Sequence, residues 1–330
     1  MPKFAWLASH ESYQPEVLID QVIAADRAGF DCITASDHFH PWVDDQSAAG
    51  FVWTWLGAAA MRAERMTFVT SVTCPLFHYH PALVAQAAAT VSRLAKGGFV
   101  LGVGTGESIN EGPFGYEFPG YGERIRRMKE ALEIIQRLLR GEKLDYEGTY
   151  YQVRKAKLYS PPIGGVPVWM AAGGEQSAAF AGRNCVGLIT SVKDPAETVA
   201  KIIKPFLAER TGPSSVMATR WLVLAASNDE AWEALGSMRG LRAPGRSEAI
   251  DPMVLRKAAD EMDPKEILSK YAIVSGPEEI IAAYRPLVTE IDADIISVQV
   301  ASTDAQRAID MIGSDVLPEL RKLASPSRPA

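Results

Sequence analysis

Ser36-Asp37-His38-Phe39-His40-Pro41-Trp42 puts two imidazoles, a carboxylate and an indole directly after the strand-like run Asp31-Cys32-Ile33-Thr34-Ala35. Imidazole is the side chain most easily tuned to move protons near neutral pH. An indole offers a flat wall to a ring-shaped ligand. Taken alone, the stretch also fits a capped turn with surface histidines. What separates the two readings is where the other unusual stretches fall: Ser71-Val72, Thr105-Gly106-Glu107, Gly173-Gly174, and Thr190, Ser191 and Lys193.

The elements that must position these residues alternate along the chain. Short apolar runs at 4–8, 32–35, 66–72, 99–103, 166–171, 186–190, 217–226 and 294–300 read as strands, with amphipathic helical patterns between them. Pro15 opens the first helix and Gly29 stops it. Eight strands, each followed by a helix, predict an α/β fold, a (β/α)8 TIM barrel with insertions after the fourth and seventh strands. A doubly wound open sheet is the alternative. The expected organisation is a single TIM-barrel domain over 1–330, with insertion segments at about 106–120, 141–165 and 236–275. Residues 144–151 read as a hairpin excursion. Ser227 to Glu230 and Ser275 to Glu278 read as capping boxes, and the tail from Ser325 as frayed. In a barrel, the ends of the second to sixth strands share the C-terminal rim, where barrel enzymes hold their active sites. That convergence points to an enzyme.

Composition narrows the partners. A chain of 330 residues that is 47% hydrophobic and 22% charged can bury a large core. A net charge of −6 without a basic stripe argues against nucleic acid. Cys32, Cys74 and Cys185 are odd in number and widely spaced, which fits reduced thiols in a cytoplasm rather than disulfides. The N-terminal stretch lacks a secretory pattern. No apolar run approaches the ~20 residues of a membrane span. No metal-ligand spacing is recognisable, so no metal is expected. A nucleophile elbow and a catalytic-cysteine signature are also missing. The expected partner is a small-molecule substrate.

Gly102-Val103-Gly104-Thr105-Gly106-Glu107 does not match the dinucleotide fingerprint. Its glycines suit close approach of backbone to a flat ligand, with Glu107 pointing a carboxylate inward; a glycine-rich turn with an exposed Glu is the plainer alternative. Ala171-Ala172-Gly173-Gly174 before a helix suits an anion, through bare amides and the helix N-terminus, or a tight turn. His78 and His80, flanking Tyr79, read as a polar turn.

Together with Thr70-Ser71-Val72 and Asn110-Glu111, these stretches resemble the deazaflavin-dependent dehydrogenases of the bacterial luciferase-like superfamily. Within it, the chain is most similar to the coenzyme F420-dependent glucose-6-phosphate dehydrogenase group, close to the F420-dependent alcohol dehydrogenases. The likeness runs from about Lys3 to Leu323. It implies a TIM barrel, a homodimer, and coenzyme F420 bound at the C-terminal rim beside a non-proline cis peptide, here Ser71–Val72. Asp37, Ser71, Val72, Cys74, Thr105, Gly106, Asn110, Gly173, Gly174 and Gln176 match cofactor-contacting positions. His38 and Glu107 match the acid–base pair, and Trp42 the indole over the reacting carbon.

The implied chemistry is oxidation of an alcohol. His38 takes the hydroxyl proton as hydride leaves carbon, and Glu107 serves as the proton donor to the ring. His40 and Trp42 would shape the pocket. In the glucose-6-phosphate enzymes a threonine, two lysines and an arginine grip the phosphate. Here Thr190 or Ser191, Lys193 and Arg246 are the candidates, and Tyr271 stands where the arginine would be. His40 departs from the glutamine of that group and matches the alcohol dehydrogenases. The substrate expectation is therefore a sugar or sugar phosphate, with a secondary alcohol as the alternative. An FMN-dependent monooxygenase and a non-catalytic cofactor-binding barrel are the other readings.

Overall fold

In the computed structural model, which describes residues 1–210 and 212–323, eight parallel strands close on themselves. They are β1 (Lys3–Ala8), β2 (Cys32–Ala35), β3 (Thr67–Thr70), β4 (Phe99–Val103), β7 (Val168–Ala171), β8 (Gly187–Ser191), β9 (Ser215–Leu224) and β11 (Ile295–Ala301). The barrel closes where β8 pairs with β9, Leu188 opposite Val216, and where β11 pairs with both β9 and β1. The expected (β/α)8 TIM barrel is the fold, and the open-sheet alternative is not. The expected frayed tail lies outside the described residues.

The strands were legible because parallel strands are covered on both faces and read as continuous apolar runs. Every residue of β2, β3, β4 and β11 is buried. Ala5, Cys32, Val69, Val100, Trp169, Ile189, Met217 and Ile295 fill the barrel interior. A larger apolar layer joins the outer strand faces to the helices, among them α1 (Pro15–Arg27), α2 (Val52–Ala60), α3 (Pro81–Leu94), α5 (Tyr121–Leu139) and α6 (Glu175–Asn184). Pro15 and Pro81 sit in the first turns of α1 and α3, where a missing N–H costs nothing. Gly29 ends the first helical unit at φ +87°.

Three excursions leave the barrel. After β4 come the single helical turn α4 (Ser108–Glu111) and a 3-10 turn, Gly112–Phe114. After α5, β5 (Leu144–Glu147) and β6 (Gln152–Ala156) form the hairpin, with its turn at 148–151 rather than within the first strand. Glu130 of α5 fixes that turn by accepting from the backbone N–H of Thr149 and Tyr150, both at 2.9 Å. The excursion after β9 carries its own apolar cluster, including Leu235, Leu255, Ile267 and Tyr271, and adds β10 (Ala272–Val274) beside β9. The second expected capping box differs from what forms. Helix Pro277–Thr289 begins after Gly276, and Glu279, not Glu278, accepts from Ser275 N–H.

Among the described residues no helix is long and apolar enough to cross a membrane.

Candidate active site

The C-terminal ends of β2, β3, β4, β7, β8, β9 and β11 surround a cleft of about 470 Å³. From the expected cofactor set, Asp37, Ser71, Val72, Cys74, Thr105, Gly106, Asn110 and Gly173 line it. Gly174 and Gln176 lie just beyond, at the start of α6, where Gln176 is exposed. The Ser71–Val72 peptide bond is cis.

Asp37 accepts from Thr73 Oγ1 at 2.7 Å and from Tyr79 OH at 3.3 Å. Burial pushes its carboxyl up to about 6 despite those donors. His38 presents Nδ1 to the His40 carbonyl at 3.0 Å. A carbonyl can only accept, so this bond favours the proton on Nδ1 with Nε2 as the acceptor; Asn110 Nδ2, itself a donor, lies further from the same nitrogen at 3.4 Å. Asn110 fixes the same loop: its Oδ1 accepts from the N–H of Phe39 at 3.0 Å and of His40 at 3.3 Å. The asparagine thus acts through the loop that carries His38 as well as lining the cleft.

Glu107 faces Arg246, whose Nη1 donates to Oε1 at 2.7 Å. The Arg246 guanidinium lies 5.4 Å from the Trp42 ring. Trp42 itself is buried and stands edge-to-face on His38, centroids 5.1 Å apart. It backs His38 and Arg246 rather than lining the cleft. The Trp42 loop is held to the excursion by Arg239, whose Nη2 donates to both Asp45 oxygens at 2.7 and 2.9 Å. Arg256 adds a bond to Asp44 at 2.6 Å.

The expected substrate residues divide. Thr190 and Arg246 line the cleft. His40 instead binds the Ile250 carbonyl through Nδ1 at 3.0 Å, and Lys193 is exposed outside the lining. His78 is a correction: it is no simple polar turn. Its Nδ1 lies 2.7 Å from Glu111 Oε2, and its ring stacks on Phe114, with both His78 and Glu111 lining the cleft. Spacing could not reveal a pair 33 residues apart. His80 is not a turn residue either but the N-cap of α3, its Nδ1 accepting from Ala82 N–H. Sequence reasoning also missed Thr219, Trp221, Gln299, Leu241 and Arg242 on the cleft wall. Gln299 had a signal, one of two polar residues, with Ser297, in a buried strand; Arg242 ends the 3-10 helix Gly236–Arg242 and had none.

Behind the rim, His10 is fully buried, with Nδ1 3.2 Å from the Gly50 carbonyl and its ring edge-to-face on Trp55. Glu11 is buried beside it and accepts a short bond from Ser36 Oγ, so the residue before Asp37 is anchored to β1's end. Burial lowers the His10 imidazole to about 4 from 6.5. The folded value lies below the unfolded one, so stability on the order of 3 kcal/mol is present above pH ~6.5 and lost as pH falls toward 4. Asp37 runs the other way: its raised value favours the fold at low pH, a contribution lost as pH rises through about 6. The two slopes oppose each other. His10→Phe is expected to leave Asp37's trend exposed, so that stability relative to wild type grows from pH 6.5 to 4. Urea melts of the cofactor-free protein across that range check it, and parallel curves for the two proteins would refute it.

Residues 3–291 match the family model described as luciferase-like monooxygenase. The F420-dependent glucose-6-phosphate dehydrogenase of Intrasporangium calvum is 35% identical over 335 residues, covering 98% of this chain and all of that protein. The enzyme of the same name from Mycolicibacterium gilvum is 34% identical, covering 97% and 98%. Among solved structures, an F420-dependent secondary alcohol dehydrogenase bound to an F420–acetone adduct superposes with a TM-score of 0.88 at 27% identity, covering 97% of this chain and 100% of that one. By this full-length likeness the chain belongs to the luciferase-like family, in its group of F420-dependent glucose-6-phosphate dehydrogenases.

Proposed function

We propose that this protein is a dehydrogenase that removes hydride from an alcohol carbon of a sugar or sugar phosphate and passes it to coenzyme F420, working as a cytoplasmic homodimer. The observation that carries the reading is the presence on one cleft of His38, with Nδ1 tied and Nε2 free, and of Glu107. The three cysteines are free, as a reducing compartment would leave them.

The cleft suits a flat cofactor. A Cβ on Gly104 would stand 2.5 Å from Val72 Cγ2, and one on Gly106 2.7 Å from Cys74 Sγ. Gly106 also adopts φ +82°, which side-chain-bearing residues rarely do. The glycines therefore let this loop lie directly against Val72 and Cys74, a packing of the cleft wall that any larger residue would force apart. Asp37, Cys74, Thr105, Gly106, Asn110 and Gly173 would hold F420 there, with Gly174 and Gln176 at the mouth. When bound, F420 supplies a ring carbon that accepts hydride.

The chain's own residues supply the proton handling. His38 Nε2 takes the proton of the substrate hydroxyl, because Nδ1 is occupied by the His40 carbonyl. Glu107, protonated on Oε2, the oxygen not bonded to Arg246, would give up that proton as hydride is transferred and be left as a carboxylate paired with Arg246. Trp42, buried and packed edge-to-face on His38, keeps water from that side of the ring. His40, held by the Ile250 carbonyl, ties the excursion over the site. A neutral secondary alcohol is the second reading, favoured by the F420-dependent secondary alcohol dehydrogenase's structural likeness.

Two measurements test this reading. The protein should bleach oxidised F420 with a sugar phosphate, a sugar or a secondary alcohol; no bleaching with any of them contradicts it. Gly106→Ala should weaken F420 binding about tenfold or more, from φ strain plus the Cys74 contact, as left-handed strain alone is worth ~1–3 kcal/mol. Fluorescence titration reads that affinity directly, and an unchanged Kd would move the cofactor away from this wall.

A further inference from the structure

We infer that Arg242, held against Tyr271 and assisted by Thr190, recognises an anionic group on the substrate, a phosphate monoester in the form that fits best. The inference rests on the dehydrogenase reading and names the residue that sets its substrate class.

Three cations compete for this role. Lys193 is exposed and stands off the cleft wall. Arg246 lines the cleft, but its Nη1 is committed to Glu107. Arg242 lines the cleft and forms no ion pair among the described residues. Its Nε is buried without a hydrogen-bond partner among those residues. A guanidinium is a planar fork of donors that matches a phosphate or carboxylate edge.

Tyr271 explains why this arginine can be presented. Its hydroxyl donates to the Met238 carbonyl at 2.9 Å, which fixes the ring. The Arg242 guanidinium lies 5.4 Å from that ring, within cation–π range. Burial pushes the Tyr271 phenol up to about 12, so the platform stays neutral. The Arg242 backbone is tethered in turn, its carbonyl accepting from Lys270 Nζ at 3.3 Å. A tyrosine at 271 is therefore a support for an arginine arriving from elsewhere in the chain, not the loss of a positive group.

The second, independent observation lies across the cleft. Thr190, near the end of β8, is 2% exposed, and its Oγ1 is buried on the cleft wall without a partner among the described residues. A buried hydroxyl without a partner is unfavourable, and an acceptor oxygen on a ligand relieves it. A guanidinium fork and a hydroxyl donor on one cleft make an oxyanion site.

Steady-state kinetics with glucose 6-phosphate and glucose test it, with F420 affinity followed by fluorescence. Wild type should favour the phosphorylated sugar in kcat/KM. Arg242→Ala should raise KM for glucose 6-phosphate about tenfold or more, as expected when a charge-assisted contact is removed, with a much smaller change in kcat. KM for glucose and the Kd for F420 should not move. Arg242→Lys should fall between, keeping the charge and losing the fork. Tyr271→Leu should follow Arg242→Ala in direction, and Lys193→Ala should match wild type. An equal effect of Arg242→Ala on both sugars overturns the inference, as does a loss that appears in Lys193→Ala instead. A wild type that treats both sugars alike also overturns it while leaving the dehydrogenase reading intact. If no alcohol reduces F420 at all, the dehydrogenase reading itself fails.

Discussion

His38→Ala lowers turnover by roughly 100-fold or more, the scale of general acid–base catalysis, while F420 affinity changes only a few-fold. The expectation comes from the hydrogen bonds around the imidazole. The His40 carbonyl holds the proton on Nδ1, and two backbone N–H bonds to Asn110 hold the loop that carries the ring. Nε2 is thereby presented as a lone pair to the cleft. Alanine removes that lone pair, yet leaves the Asn110 clamp, which bonds to the backbone of Phe39 and His40. The loss should therefore fall on kcat rather than on folding or cofactor binding. Stopped-flow reduction of F420 at saturating substrate checks it. Near-normal turnover would remove His38 from the mechanism.

Glu107→Gln should cost a comparable factor, roughly 100-fold in turnover. The substitution keeps the shape of the side chain and a hydrogen-bond acceptor for Arg246, and removes the carboxyl's capacity to exchange a proton. The Glu107–Arg246 pair is partly exposed, with side chains 37% and 38% accessible, so its contribution to stability is at most about 1 kcal/mol. A Tm close to wild type combined with a large fall in kcat would separate chemistry from structure. Activity within a few-fold of wild type would mean that Glu107 serves only to hold Arg246.

The barrel was legible because its strands are buried on both faces, so 32–35 and 99–103 announce themselves as uninterrupted runs. The rim was legible for a related reason. A strand that ends in Asp37-His38 or Thr105-Gly106-Glu107 places ionisable and glycine residues where an apolar run has just stopped, and parallel packing gathers those ends on one side. What could not be read is whatever depends on contacts between distant segments. His78 reached Glu111 across 33 residues. Trp42 looked like a wall for a ligand and lies instead behind His38 and beneath Arg246, because the excursion after β9 folds over it. Gly240 marks that packing: a Cβ there would stand 2.3 Å from the Trp42 carbonyl. Arg242 ends the same 3-10 helix, Gly236–Arg242, whose placement follows from the excursion's own apolar cluster and not from any period in the sequence. Lys193, by contrast, was placed by its position after a strand, and the turn of chain that follows leaves it in solvent.

The central claim is direct transfer of hydride from an alcohol carbon to the deazaflavin. Incubating the protein and oxidised F420 with an alcohol substrate deuterated at its carbinol carbon, then measuring the mass of the reduced cofactor, tests it most directly. The expected result is one deuterium retained on the reduced cofactor, with turnover slowed relative to the protiated substrate. Reduced cofactor carrying no deuterium, or a protein that ignores F420 and instead consumes oxygen with bound FMN, would contradict it.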